Sequence, residues 1–175
     1  MAGFSVGMSD GDQVRHVVRD LSAKSMLSRA SVGNGFSARV DRHRNIVSRA
    51  VSITKKVAPD GVSAIMVDIP DCSNAELGAI ARTYLSQHAP VIDVSRTILR
   101  KFVAGDSQAS HDHVVKGVWN RWGVQTKLSI EAYAYALVRL GLMCIGEDDV
   151  DRESDEECVR VVTERHASEF QGIVG

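Results

Sequence analysis

Three cations in one short stretch are the first residues that could take part in chemistry. Arg96, Arg100 and Lys101 lie in "DVSRTILRKF" (93–102), among apolar residues that recur at helical intervals. Asp93 is the one acidic residue in this stretch. Cationic side chains commonly extend from an apolar helix face to water, so ordinary surface residues would explain the pattern. The alternative is that an anion from outside the chain lies beside them.

A second set of cations follows one face of a helix predicted over residues 38–57. Arg42, Arg49 and Lys56 are spaced by seven residues, which places them in a near-axial stripe with about 10 Å between neighbours. Such a stripe can hold a sugar–phosphate chain without reading its sequence. A solvated amphipathic helix has the same pattern, and this segment has no aromatic residue for base stacking. Taken alone, the stripe favours a solvated helix.

Patterns that would indicate a catalytic or metal site are weak. His111 and His113 are separated by one residue, so on a helix they point about 200° apart. Cys72 and His88 could form a nucleophile–base pair, but no oxyanion-hole motif or third member accompanies them. "SVGNGFSAR" (31–39) lacks the Gly-Lys-Ser/Thr ending of a phosphate loop. We therefore expect no enzyme activity, no metal site, no cofactor and no small-molecule substrate.

The composition is typical of one globular domain. The chain has 175 residues, of which 44% are hydrophobic, and domains typically run about 100–150 residues. The three cysteines, at positions 72, 144 and 158, lack zinc-ligand or disulfide spacing, which favours a reducing compartment. No apolar run approaches the roughly 20 residues of a membrane span, and the N-terminus lacks the pattern of a signal peptide. We expect no membrane partner.

Charge is distributed unevenly along the chain. Residues 1–60 contain ten Lys/Arg and five Asp/Glu, whereas residues 128–175 contain four Lys/Arg and eleven Asp/Glu. This asymmetry would suit a polyanion near the basic half, or head-to-tail contact between copies of the chain. Chance clustering of solvated charges explains it equally well.

Hydrophobic periodicity predicts an all-α fold, a single compact domain of about seven helices with at most one short strand or hairpin. The predicted helices are 14–27, 38–57, about 73–88, 93–104, a helix that carries Val114 to Trp122, 130–143 and about 156–170. "VSAIMVDIP" (62–70) is either a short strand or an extended connector. We predict a flexible N-terminal arm over 1–12, a helical core over 13–145, and an acidic segment with a C-terminal helix and arm over 146–175.

Several short motifs follow one another between residues 46 and 143. They are Gly61-Val62-Ser63-Ala64, Asp68-Ile69-Pro70, Leu77-Gly78-Ala79-Ile80, Ile98-Leu99-Arg100-Lys101-Phe102 and Val118-Trp119-Asn120. Their order resembles the coat-protein core of flexuous filamentous plant viruses, in the potexvirus and trichovirus–vitivirus groups, over a little over half the chain. Two features depart from the family pattern. Ala134 stands between Tyr133 and Tyr135 where the family has an aspartate, and the interval from Arg100 to Trp119 is longer than in potexviruses.

The resemblance implies a viral capsid protein that polymerises helically around single-stranded RNA and binds the phosphate backbone without sequence specificity. It implies that Ser63 and Arg100 lie in the RNA groove, and the competing account pairs Arg100 with Asp93 or Asp68. The further candidates for RNA contact are Arg96, Lys101, Arg42, Arg49 and Lys56. Residues 1–12 and the acidic C-terminal portion would contact neighbouring subunits, and the protein would be found in the virion and the host cytoplasm.

Two other classes of protein remain open. The first is an RNA-binding nucleoprotein or silencing suppressor that forms closed oligomers. The second is a bacterial α-helical DNA-binding regulator, although the "SVGNGFS" connection looks too long for the turn of a helix-turn-helix motif.

Overall fold

The computed structural model describes residues 40–41, 44–45, 48, 51–52, 55, 64–69, 79 and 82–174, and the backbone of residues 4–10 and 13–19. The strands are β1 (Phe4–Asp10), β2 (Gln13–Arg19), β3 (Ile65–Ile69) and β4 (Val91–Ser95). The helices that follow them are α1 (Arg96–Ala104), α2 (His111–Trp122), α3 (Ser129–Cys144), α4 (Glu153–Arg165) and α5 (Ala167–Val174). Residues 82–85 and the described residues between 40 and 55 are also helical.

Helices make up most of the described residues, which confirms the mainly helical fold class but not the number of seven helices. The limit of one short strand or hairpin is wrong, because two strand pairs are present. β1 and β2 are antiparallel, and β3 and β4 are parallel. Residues 14–19 and 93–95, which we predict as the first turns of two helices, belong to β2 and β4. β2 contains three valines and β4 contains two valines and an isoleucine, and such β-branched side chains pack well on a pleated sheet.

The parallel pair β3–β4 separates two apolar layers. Ile65, Val67 and Val91 pack with Leu85 on one side of the pair. Met66, Ile92 and Val94 point to the other side and join the main core with the helices. This alternation follows from the two-residue period of a strand, and it places Asp68, two residues after Met66, on the same face as the main core.

The central element of the main core is α3. Six consecutive residues of α3, Ala132 to Leu137, are buried, as expected for a helix that neighbours surround on all sides. It contacts both strand pairs and the helices α1, α2 and α4. The close approach to β3 is at Gly141, where a Cβ atom would lie 3.2 Å from Cγ of Met66.

The C-terminal segment forms part of the main core. Cys158 and Val162 of α4 and Phe170 of α5 are buried in it. The predicted single helix over 156–170 is two helices, divided at His166, whose buried Nε2 lies 3.0 Å from the main-chain oxygen of Asp93. The pairing of β1 with β2 crosses the predicted boundary between arm and core at residue 12. The packing of α4 and α5 in the main core crosses the predicted boundary at residue 145. The roles assigned to the three ranges stay predictions.

No helix within the described ranges is both long and apolar enough to span a membrane.

Candidate functional site

The two parallel strands end side by side, and their carboxyl ends position two charged residues. Asp68 is paired with Val94 near the end of β3, and Arg96 directly follows β4 as the first residue of α1. Arg96 Nε donates a hydrogen bond to Asp68 Oδ2 at 2.8 Å. Ser95 fixes the start of α1, because its Oγ accepts a hydrogen bond from the amide of Ile98 at 3.3 Å. In open parallel sheets, ligands bind outside this edge.

Three groups that can carry positive charge surround the ring of Tyr133, a residue of α3 that is 4% exposed. Arg100 Nε donates a hydrogen bond to the Tyr133 hydroxyl at 3.2 Å. The guanidinium carbon of Arg96 lies 5.7 Å from the ring centroid. The imidazole of His111 meets the ring edge-on, with 5.6 Å between centroids. We call Asp68, Arg96, Arg100, His111 and Tyr133 the Tyr133 cluster.

The charges of α1 are balanced differently from one position to the next. Asp68 offsets the charge of Arg96, and Lys101 Nζ lies 2.5 Å from Glu157 Oε2. The hydrogen bond from Lys101 lowers the pKa of Glu157 and raises the pKa of Lys101. Arg100, by contrast, forms no ion pair with any carboxylate in the described part of the chain. Its contact with Tyr133 is partly buried, so this positive charge is held in place and has no counter-charge among the described residues.

Helix starts add to the positive character of the Tyr133 cluster. Arg96, His111 and Tyr133 each lie in the first two turns of a helix, α1, α2 and α3 respectively. Ser110 begins α2 by accepting a hydrogen bond from the amide of His113 at 3.3 Å. The N-terminus of a helix carries a partial positive charge that favours anions, and Asp112 and Glu131 offset this charge at α2 and α3, whereas the first turn of α1 contains no acidic residue. The cluster is therefore suited to an anionic ligand.

The structure brings together only some of the predicted site residues. Arg96 and Arg100 both contact Tyr133, whereas Lys101 points to Glu157 on α4. Asp68, one of the two alternative partners proposed for Arg100, is bonded to Arg96. The remaining predicted residues, Ser63, Arg42, Arg49 and Lys56, lie outside the described residues. RNA contact by any of the seven stays a prediction.

Sequence reasoning missed Tyr133 and did not assign His111 or Asp68 to an anion site. One signal was available for Asp68, because "VSAIMVDIP" ends in a carboxylate and could be read as a strand. Polar residues at the carboxyl ends of parallel strands are typical of ligand sites.

Within the described ranges, no group of three or more His, Cys, Asp and Glu side chains could hold a metal ion.

No family model matches this chain, and no curated protein sequence matches it. Among solved structures, the chain is similar to "Thermus thermophilus RuvC structure", with a TM-score of 0.48 and 16% identity. The likeness covers 81% of this chain and 85% of that chain. At this level of similarity, the activity of RuvC is not transferred to this chain.

This comparison contradicts two predictions. RuvC is a nuclease, a Holliday junction resolvase, and not a viral coat protein. The predicted function as a capsid protein is contradicted by this comparison, and so is the prediction that the chain is not an enzyme. The resemblance to plant-virus coat proteins, the RNA partner, self-assembly and the location in a virion are not tested by it and stay predictions.

Proposed function

We propose that this chain is an enzyme that acts on phosphate esters of a nucleic acid, and that the Tyr133 cluster binds the phosphate. The observation that carries the proposal is how Arg100 is bonded and whether its charge is neutralised. Its Nε is bonded to a phenol, and no carboxylate in the described ranges neutralises it. The two terminal nitrogens of a guanidinium form a planar fork that matches two phosphate oxygens. With Nε held by Tyr133, that fork is oriented before the ligand arrives.

The surroundings of Arg100 support a phosphate in preference to a neutral ligand. The start of α1, which has no acidic residue in its first turn, favours negative charge, and Arg96 and His111 lie around the same ring. The excess of Lys/Arg over Asp/Glu in residues 1–60, ten against five, favours a polyanion over a small phosphate ester. A nucleic acid satisfies both conditions.

The same residues can serve hydrolysis of a phosphodiester. Water attacks phosphorus, the bond to the leaving oxygen breaks, and that oxygen takes up a proton. Arg100 stabilises the negative charge that develops on the non-bridging oxygens. His111 is exposed at the cluster, and its imidazole nitrogens can donate and accept hydrogen bonds. It can accept the proton of the water or supply one to the leaving oxygen. Asp68 holds Arg96 over the Tyr133 ring.

Arg100→Gln and Lys101→Gln provide a matched test, because each removes one positive charge from adjacent positions of α1. Wild type and both variants are incubated with labelled single-stranded, duplex and branched DNA and RNA, with and without Mg²⁺. We expect Arg100→Gln to lower the cleavage rate about 100-fold, the usual effect of losing one donor to a developing charge. Lys101→Gln is expected to cleave like wild type, since Glu157 already offsets that charge.

Two results would contradict the proposal. One is wild-type protein that cleaves none of these substrates under either condition. The other is an equal loss in Arg100→Gln and Lys101→Gln, which would mean that net charge, and not the orientation of Arg100, governs the rate.

A further inference from the structure

An indole on α2 is exposed to solvent. Trp119 is 48% exposed, whereas Trp122 packs in the main core against Phe102 and Tyr135. Trp119 lines a pocket of about 340 Å³ with Asp112, Val115, Lys116, Gln125 and Thr126. This volume is at the lower end of the range for ligand sites. We call it the Trp119 pocket.

The pocket combines a flat apolar surface with polar groups. Thr126 Oγ1 is buried and has no hydrogen-bond partner among the described residues. A buried hydroxyl without a partner is costly, and a ligand relieves this cost when the Thr126 side chain rotates toward the pocket. Lys116 and Gln125 are exposed at the same pocket and can donate to an anion or a carbonyl oxygen. An aromatic heterocycle with polar edges and a phosphate nearby would use all of these features.

The Trp119 pocket lies along α2 from the Tyr133 cluster. His111, Val115 and Trp119 are spaced by four residues, so they follow one face of the helix. Eight residues of α-helix span about 12 Å. A short stretch of extended polynucleotide can therefore pass from the phosphate at Arg100 to the indole, with His111 and Val115 between them.

We infer that the Trp119 pocket is a stacking subsite for an unpaired base of the strand whose phosphate Arg100 holds. The inference rests on the proposed function and extends it to single-stranded segments. Bases stacked inside a duplex cannot lie on an indole, whereas an unpaired base can. Stacking on an aromatic side chain tolerates every base, because each has a π-face. The Trp119 pocket thus favours single strands without reading their sequence.

Two probes of equal length separate the base from the backbone, a twelve-nucleotide oligothymidylate and an abasic strand with the same sugar–phosphate chain. Trp119→Ala is expected to weaken binding of the oligothymidylate about 5- to 150-fold, which is the usual effect of removing one stacking platform. Binding of the abasic strand is expected to remain as in wild type. Trp119→Phe keeps an aromatic face and is expected to retain most of the affinity.

Leu128→Ala is the matched control, because Leu128 is 50% exposed and lies outside the lining of the Trp119 pocket. It removes exposed apolar surface without removing a stacking face, so its affinity for oligothymidylate should equal that of wild type. Indole fluorescence gives a second readout. The oligothymidylate is expected to quench wild-type emission, and this quenching is expected to be lost in Trp119→Ala.

The outcomes distinguish the subsite from the proposed function. If Arg100→Gln weakens binding but Trp119→Ala does not, the subsite is wrong and the proposed function stands. Equal weakening of the oligothymidylate and the abasic strand by Trp119→Ala also overturns the subsite. If wild type binds neither probe, both ideas fail. A change of oligomeric state in Trp119→Ala with unchanged strand binding would assign this surface to contact between copies of the chain.

Discussion

Arg121 of α2 donates a hydrogen bond to the fully buried carboxylate of Asp155 in α4, with 2.6 Å between Nη2 and Oδ2. Arg152 donates to the other oxygen of Asp155 at 2.7 Å. Both arginines also donate to the main-chain oxygen of Phe102 near the end of α1. The last carbonyls of a helix have no partner within the helix. One carboxylate and two guanidinium groups therefore join α1, α2 and α4.

We expect Asp155→Asn to lower the free energy of unfolding by about 3–5 kcal/mol, the usual effect of breaking a buried ion pair. The loss is large because the side chain of Arg121 is only 13% exposed and would remain buried without its counter-charge. Urea denaturation measures the change. Glu164→Gln removes a carboxylate from the exposed pair with Arg160 and serves as the control, with no measurable change expected. An Asp155→Asn variant as stable as wild type would contradict this account of the helix junction.

At Gly117, α2 packs closely against α1. A Cβ atom at this position would lie 2.7 Å from Cγ1 and 3.0 Å from the main-chain oxygen of Val103. Alanine is intrinsically the better helix former by about 1 kcal/mol. We nevertheless expect Gly117→Ala to lower the free energy of unfolding by about 1–3 kcal/mol, because two helices must move apart.

Gly172→Ala is the matched control for this substitution. A Cβ atom at Gly172 of α5 would have no atom within 4 Å. Its free energy of unfolding should stay the same or rise by up to about 1 kcal/mol. Urea denaturation of both variants decides the matter, and equal effects would show that helix propensity and not the close approach controls both sites.

Helices with clear sequence boundaries were predictable. The apolar residues of α2 recur at helical spacing, and Gly123 ends the helix with a φ of 67°, which glycine adopts without strain. Strands were harder to predict, because a short valine-rich segment fits both the 3.6-residue period of a helix and the two-residue period of a strand. Val94 fits the apolar face of a helix over 93–104, yet it is buried as part of β4 because β3 lies beside it. Pairing with β3, and not the local sequence, therefore makes this segment a strand and not the start of a helix.

The dipeptide Gly11-Asp12 was the missed signal for the first strand pair. It follows the alternating segment FSVGMSD (4–10) and precedes the valine-rich segment QVRHVVR (13–19), and such dipeptides are typical of two-residue hairpins. At the site, the local sequence could not show how Arg100 and Lys101 differ in their partners. Their environments are set by Tyr133 and Glu157, which are 33 and 56 residues further along the chain. Only the fold shows that Glu157 balances the charge of Lys101, whereas no carboxylate among the residues placed by the structure balances that of Arg100.

Cys144 and Cys158 are expected to resist alkylation in the folded protein. Burial disfavours the charged thiolate and raises the pKa of Cys144 to about 12 and that of Cys158 to about 11. Only the thiolate reacts, and at pH 8 its fraction is roughly 10⁻⁴ for the first and 10⁻³ for the second. Peptide mapping by mass spectrometry, which resolves Cys72 from both, should show slow modification by iodoacetamide at pH 8.

The reaction in urea provides the control, because both thiols regain their ordinary pKa on unfolding. The raised pKa also has a thermodynamic consequence. The unfolded chain loses the thiol protons at a lower pH than the folded chain, so folding stability should fall as the pH rises above the ordinary thiol range. Modification of Cys144 or Cys158 as fast in the folded protein as in urea would contradict the burial of these groups.

The hydroxyl of Tyr133 is expected to act by positioning Arg100. Tyr133→Phe keeps the ring that Arg96 and His111 contact but removes the acceptor of the Arg100 hydrogen bond. We expect the free energy of unfolding to fall by only about 0.5–1.5 kcal/mol, while cleavage of nucleic acid falls about tenfold because the guanidinium fork is no longer held in one orientation. Tyr135→Phe removes a hydroxyl two residues along α3, where the ring packs against Trp122, and should cleave like wild type. If the two variants lose the same activity, the loss comes from general weakening of α3 and not from the orientation of Arg100.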